Sequence, residues 1–164
     1  MRHTIAILLQ NETGALSRVA SMFSTRGYNI ESLSVAPTQD PMISRLTLVT
    51  EGEDAVIEQI AKQLYKLIDV IDVLDITLLD HMEVELMLIK CRLKDRKRET
   101  LLAFVDAQAG KIISELDGYI IFEIRADYDS NNDLLKTIEK MVEVVAIARS
   151  GPLALAKGEV SISL

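Results

Sequence analysis

Asn11, Gly14 and Asn29 stand out by chemistry and placement. The stretch N-E-T-G-A-L-S-R-V (11–19) follows an apolar run carrying Ile5, Ile7 and Leu9, breaks it, and opens a helical pattern. Backbone N–H groups at a helix start lack intrahelical acceptors, point outward and favour an anion. Gly14 has no Cβ, so a ligand can come close to the main chain there. The amides of Asn11 and Asn29 both donate and accept, which suits an α-carboxylate and an α-ammonium together. The same residues also fit plain capping, with Asn11 or Thr13 closing the turn and Gly14 permitting it.

Catalytic chemistry has little to work with. His3 and His81 lie away from any Cys, Ser or carboxylate pattern of nucleophilic catalysis, and both are expected to be partly exposed structural residues. No glycine-rich phosphate loop occurs, and the acidic residues lack paired-ligand spacing, which reads as solubility. The single cysteine, Cys91, excludes an intramolecular disulfide and a Cys-based zinc site, and is expected to be a small packed residue. K-C-R-L-K-D-R-K-R (90–98) is the one basic run. It reads as a solvated strand end and helix start, with contact to nucleic acid or an acidic partner as the alternative. The net charge of −7 argues against nucleic acid and an anionic membrane surface as the main partner. A reducing, cytoplasmic compartment fits.

The elements that must position these residues follow from periodicity. Residues 3–10 are mostly apolar, as in a strand buried on both faces. They read as a strand and not a signal peptide, and no apolar run approaches the roughly 18 residues that cross a bilayer. Leu16, Val19, Ala20 and Phe23 recur at helical spacing over 15–26, and Arg26-Gly27 is a stop. Residues 28–37 and 42–52 read as a hairpin, 53–67 as an amphipathic helix and 70–79 as a strand. The order then repeats: a strand at 82–91, a helix over 96–109, a hairpin of 111–116 and 119–125, a helix over 132–143 and a strand at 144–151. This predicts an α+β fold of two ferredoxin-like βαββαβ domains, joined near Asp80-His81, each an antiparallel sheet with two helices on one face. RNA-recognition domains share that strand order, but they stack bases on aromatics of the central strands. The central strands here, 3–10 and 42–51, contain no Phe, Tyr or Trp.

The stretch N-E-T-G-A-L-S-R-V-A-S-M-F-S-T-R-G-Y-N-I-E-S-L-S-V-A-P-T (11–38) resembles the amino-acid-binding ACT domain of the small, regulatory subunit of acetolactate synthase (acetohydroxyacid synthase). The pattern is Asn11-Glu12, Gly14, Leu16-Ser17-Arg18, Phe23, Arg26-Gly27, Asn29-Ile30, Ser32-Leu33 and Pro37-Thr38. The tail resembles the same family through Ala148-Arg149-Ser150-Gly151 and Lys157-Gly158. Thr13 stands where that family often has proline or serine, and Gln10 where it often has an acid.

The resemblance implies an ACT domain over 1–79 for effector binding and dimerisation, and a C-terminal ferredoxin-like domain over 80–164. It implies a non-catalytic subunit that activates a larger catalytic chain and confers feedback inhibition by valine in branched-chain amino-acid biosynthesis. That chain would carry thiamine diphosphate, Mg²⁺ and FAD and condense pyruvate with pyruvate or 2-oxobutyrate; this one would carry no cofactor. ACT domains pair edge to edge, so the expected assembly is a homodimer within a heterotetramer, without nucleic acid or membrane. Carried over by position, the effector contacts would be Asn11, Gly14, Ala15 and Leu16 from one chain and Asn29 and Ile30 from its partner. Asn29 would hold the amino or carboxylate group, and Leu16 and Ile30 would wall a branched side chain. A stand-alone tandem-ACT amino-acid sensor is the alternative, and an enzyme in its own right the third reading.

Overall fold

The computed structural model describes residues 1–93 and 97–162, and it divides into two compact units. The first comprises Met1–Met82 and the segment from Pro152 on; the second is Glu83–Gly151.

In the first unit the order is β1 (Arg2–Gln10), α1 (Ala15–Thr25), β2 (Ser32–Pro37), β3 (Ile43–Glu51), α2 (Asp54–Leu64) and β4 (Val70–Asp75). The antiparallel sheet runs β2-β3-β1-β4. Alternation along β1 sends Ile5, Ile7 and Leu9 into a core with Val19, Met22 and Phe23 of α1 and Ile57, Ile60 and Leu64 of α2. Ala6 and Leu8 point the other way and pack with Ile162. The expectation of a strand buried on both faces therefore holds, and the tail covers the second face.

The helix α1 departs from its expected stripe. Ala15, Val19, Met22 and Phe23 are buried, whereas Leu16 is 38% exposed. The strand expected from residue 28 begins only at Ser32; Tyr28 instead turns back to set its ring edge-on to Phe23, with centroids 6.3 Å apart.

The second unit carries β5 (His81–Arg92), α3 (Arg98–Ala107), β6 (Lys111–Leu116), β7 (Tyr119–Ala126), α4 (Tyr128–Met141) and β8 (Glu143–Arg149). Its sheet runs β6-β7-β5-β8, again antiparallel and again with the first strand of the unit inside. Met87, Ile89, Cys91, Phe122, Leu101 and Ile138 form its core. The helix expected from residue 132 starts at Tyr128, because Asp127 caps it by accepting a hydrogen bond from the Ser130 amide at 2.8 Å. The apolar stripe begins only at Leu134, so periodicity alone misses that polar first turn.

A ninth strand, β9 (Leu153–Ala156), was not expected. The expected split at residues 79 and 80 gave the whole tail to the C-terminal domain, whereas the compact units give it to the first. Ala154 and Ile162 are buried there, the Arg45 guanidinium donates to the Ala154 carbonyl at 3.1 Å, and the Lys157 amide donates to the Asp80 carbonyl at 2.7 Å.

Candidate functional site

At the end of β1 the chain makes a tight, backbone-anchored turn. The Asn11 amide donates to the Met42 carbonyl at 2.7 Å, and its side-chain Nδ2 donates to the Pro41 carbonyl at 2.9 Å. Asn11 is thereby fastened to the loop between β2 and β3. The Ala15 amide donates to the Glu12 carbonyl at 3.1 Å, and Gly14 occupies the N-cap of α1 with φ of 88°, in the left-handed region. No side chain caps this helix. The capping expected of Asn11 or Thr13 does not occur: Asn11 is committed to Pro41, and glycine takes the cap position.

Against this turn lies a cavity of about 280 Å³. Asn11, Ala15 and Leu16 line it, with Gly14 at the turn between them. The exposure of Leu16, unexplained by core packing, is explained by that cavity. Its opposite wall is the end of β2, Val35 to Pro37, with Ser44 of β3 beneath. The sequence reading missed those wall residues; the available signal was Pro37, which ends an edge strand directly across from the helix start. The volume sits near the lower end of small-molecule pockets, about 300 Å³, and suits a ligand of amino-acid size.

Asn29 and Ile30 are elsewhere. The Asn29 carbonyl accepts from Thr50 Oγ1 at 2.6 Å, and Thr50 pairs with His3 near the beginning of β1. Asn11 follows the far end of that strand, where Gln10 pairs with Ile43. At about 3.4 Å per residue the two positions are on the order of 20 Å apart. Ile30 also packs partly against the core. One chain brings together Asn11, Gly14, Ala15 and Leu16, and leaves Asn29 and Ile30 at the opposite end of its sheet.

Arg18, one turn into α1, binds Asp69 with both Nε and Nη2, the latter at 2.9 Å. The hydrogen bond from Arg18 is the main reason the Asp69 carboxyl lies below its ordinary pKa, in spite of desolvation.

The remaining candidates for chemistry are occupied structurally. His3 is buried and not partly exposed: Nδ1 lies 3.1 Å from Asp75 and Nε2 3.5 Å from Asp54. His81 is half-buried, with Nδ1 2.8 Å from the Leu79 carbonyl. Burial pushes the Cys91 thiol up to about 11, which disfavours the reactive thiolate. In the basic run, Lys94, Asp95 and Arg96 lie outside the described residues, as does the start of the helix expected from 96. Of the others, Arg92 pairs with Glu143 at 3.5 Å and Arg98 with Glu115 at 2.6 Å. Among the described residues, no cluster of three or more His, Cys, Asp or Glu could hold a metal, and no helix is long and apolar enough to cross a membrane.

Comparison with known proteins covers both units. A model of the AHAS small subunit-like ACT domain matches residues 5–72, and one of the small subunit of acetolactate synthase matches 84–158. The acetolactate synthase isozyme 3 small subunit of Salmonella typhimurium is 41% identical over 97% of this chain and 98% of its own. The probable acetolactate synthase small subunit of Archaeoglobus fulgidus is 37% identical over 96% of this chain and 98% of its own. The crystal structure of the acetolactate synthase small subunit from Thermotoga maritima superposes with a TM-score of 0.88 at 34% identity, covering 98% of this chain and 99% of that one.

Proposed function

The chain belongs to the family of acetolactate synthase small subunits, and from that premise we propose that it is the valine-responsive regulator of a separate catalytic chain, with its effector site completed by a second copy of itself. It has no catalytic role of its own; the thiamine diphosphate, Mg²⁺ and FAD of the reaction belong to the catalytic chain, beside which it acts in the cytoplasm. The observation that carries the effector reading is the cavity at the uncapped start of α1. Its walls, Leu16 and Val35, are apolar and exposed, and its head is a helix N-terminus that favours a carboxylate.

The edge position of β2 supports the dimer. An edge strand presents unpaired backbone groups, and β2 has a neighbour on one side only. Antiparallel pairing of β2 with its copy sets the beginning of one strand beside the end of the other. Asn29 and Ile30 precede β2, and Val35 to Pro37 end it at the cavity. The pairing therefore supplies from the partner the two residues that one chain holds on the order of 20 Å away.

Regulation then follows from linkage. Valine bridging two copies binds best to the assembly in which the cavity is closed, and it shifts the holoenzyme toward that state by no more than its differential affinity. A dissociation constant of ~10 µM to 1 mM, about −4 to −7 kcal/mol, is enough for a feedback effector. Calorimetric titration of L-valine into the purified chain, with D-valine as control and sedimentation in parallel, tests the proposal. Saturable binding of the L form by a dimer is expected. A chain that stays monomeric with and without valine, or that binds neither enantiomer alone or beside the catalytic subunit, would overturn it.

A further inference from the structure

We infer that Asp69 and Arg18 act as one positioning clamp that sets the geometry of the α1 lead-in loop, and with it the affinity for the effector; the inference rests on the effector reading of that loop. Neither residue lines the cavity. Their importance lies in what they connect. Asp69 is almost wholly buried in the turn before β4. Its carbonyl accepts the Gln10 amide at 2.8 Å, which fixes the end of β1. Its carboxylate receives Nε and Nη2 of Arg18, which fixes the second turn of α1. One residue thus holds both flanks of loop 11–14, the loop that carries Asn11 and Gly14.

The third guanidinium nitrogen shows how tight the arrangement is. A Cβ built on Gly14 would stand 3.0 Å from Nη1 of Arg18, 3.6 Å from Cζ and 3.8 Å from Nη2. The guanidinium therefore lies against the Gly14 backbone, filling the space a side chain would need. A two-point Arg–carboxylate contact constrains orientation as well as distance, which a single Lys contact does not. Gly14 is left-handed at φ of 88°, a conformation that glycine adopts freely and a side chain resists, and the clamp lies over it. A binding loop held in its competent shape spends less of its binding free energy on ordering, so loosening the clamp weakens affinity without touching a ligand contact.

The test uses the full chain and its holoenzyme with Asp69→Asn, Arg18→Met and Arg18→Lys. Asn at 69 keeps the carbonyl that receives Gln10 and nearly the same shape, and Lys at 18 keeps the charge but cannot bridge both carboxylate oxygens. Each variant is expected to weaken L-valine binding, and valine inhibition of the holoenzyme, by about tenfold or more, and the double variant Arg18→Met/Asp69→Asn by no more than the worse single change. Valine-free activation of the catalytic subunit is expected to stay near wild type. Arg18→Met also lowers the melting temperature, because it leaves the Asp69 carboxylate buried without its cation, whereas Asp69→Asn and Arg18→Lys lose valine affinity well beyond any change in melting temperature, which a merely structural ion pair would not predict. Valine affinity within about twofold of wild type in all three variants would overturn the clamp, as would losses that track valine-free activation and melting temperature in step. A wild-type chain that binds no L-valine would instead remove the effector reading, and the clamp's role with it.

Discussion

At the scale of single residues, the buried charges show what each half of the chain cannot lose. Glu85 in β5 is 2% exposed and carries three partners: Arg149 Nε at 3.0 Å, Arg149 Nη2 at 2.5 Å and Asn131 Nδ2 at 3.1 Å. Arg149 also donates to Asn132 at 2.7 Å and covers the Tyr128 ring at 4.9 Å. It belongs to the A-R-S-G stretch of the tail, where the sequence shows only a family resemblance and no partner. Sequence cannot show the pairing because Glu85 and Arg149 meet only when β8 pairs with β5. Replacing Arg149 with Met leaves the Glu85 carboxylate buried without its cation, which costs about 3–5 kcal/mol, whereas removing both charges costs much less. Urea unfolding of Arg149→Met and of Glu85→Gln/Arg149→Met checks this: the double variant is expected to unfold at a higher urea concentration than the single one. Gly14 was legible for a different reason, since a glycine between a strand and a helix pattern is a local signal.

At the scale of elements, helix starts separate what was legible from what was not. α1 begins with glycine at its N-cap and no side-chain cap, while α4 begins with Asp127 accepting from both the amide and the hydroxyl of Ser130 at 2.8 Å. Those bonds, the amide first, hold the Asp127 carboxyl below its ordinary range. A depressed folded-state pKa means the stabilisation is fully present above the unfolded value, about 3.9, and fades as pH falls through the lower folded value. Asp127→Ala is expected to cost about 1 kcal/mol at neutral pH, with the gap to wild type narrowing below about pH 4. Paired urea titrations at pH 7 and pH 3 measure that gap; an equal gap at both would mean the cap does not act through its charge. Strand order and both helix pairs were legible because apolar periodicity follows directly from which face is buried. The start of α4 was not, because a cap and a polar first turn carry no periodicity, and residues 28–31 were overextended as strand because Tyr28 leaves the sheet direction to meet Phe23.

At the scale of the whole molecule, two features of the site escape a reading of one chain in order. The first is that one chain leaves Asn29 and Ile30 at the end of its sheet away from the cavity, so that in the proposed dimer they would come from another copy, paired through the edge strand β2. The second is the tail. Its apolar residues fall in short, interrupted stretches, so nothing in their spacing says that they return to the first sheet. There they cover the face opposite the helices, where Ala6 and Leu8 are fully buried with Ile162. Arg45, whose pKa burial lowers, is held by the Ala154 carbonyl, and its register partner Ala36 lines the cavity at the start of α1 from β2. Ending the chain after Gly151 would uncover that face, at about 25 cal/mol for each Å² of apolar surface returned to water, and would leave the Arg45 guanidinium without its carbonyl. The second unit keeps every core residue, so its own amides should stay protected. Hydrogen exchange on the truncated chain is expected to show faster exchange in β1 and β3, with β6 and β7 unchanged. Uniform acceleration across both sheets would mean instead that the tail stabilises the whole chain rather than the first unit, and unchanged β1 and β3 would mean that their outer face needs no cover.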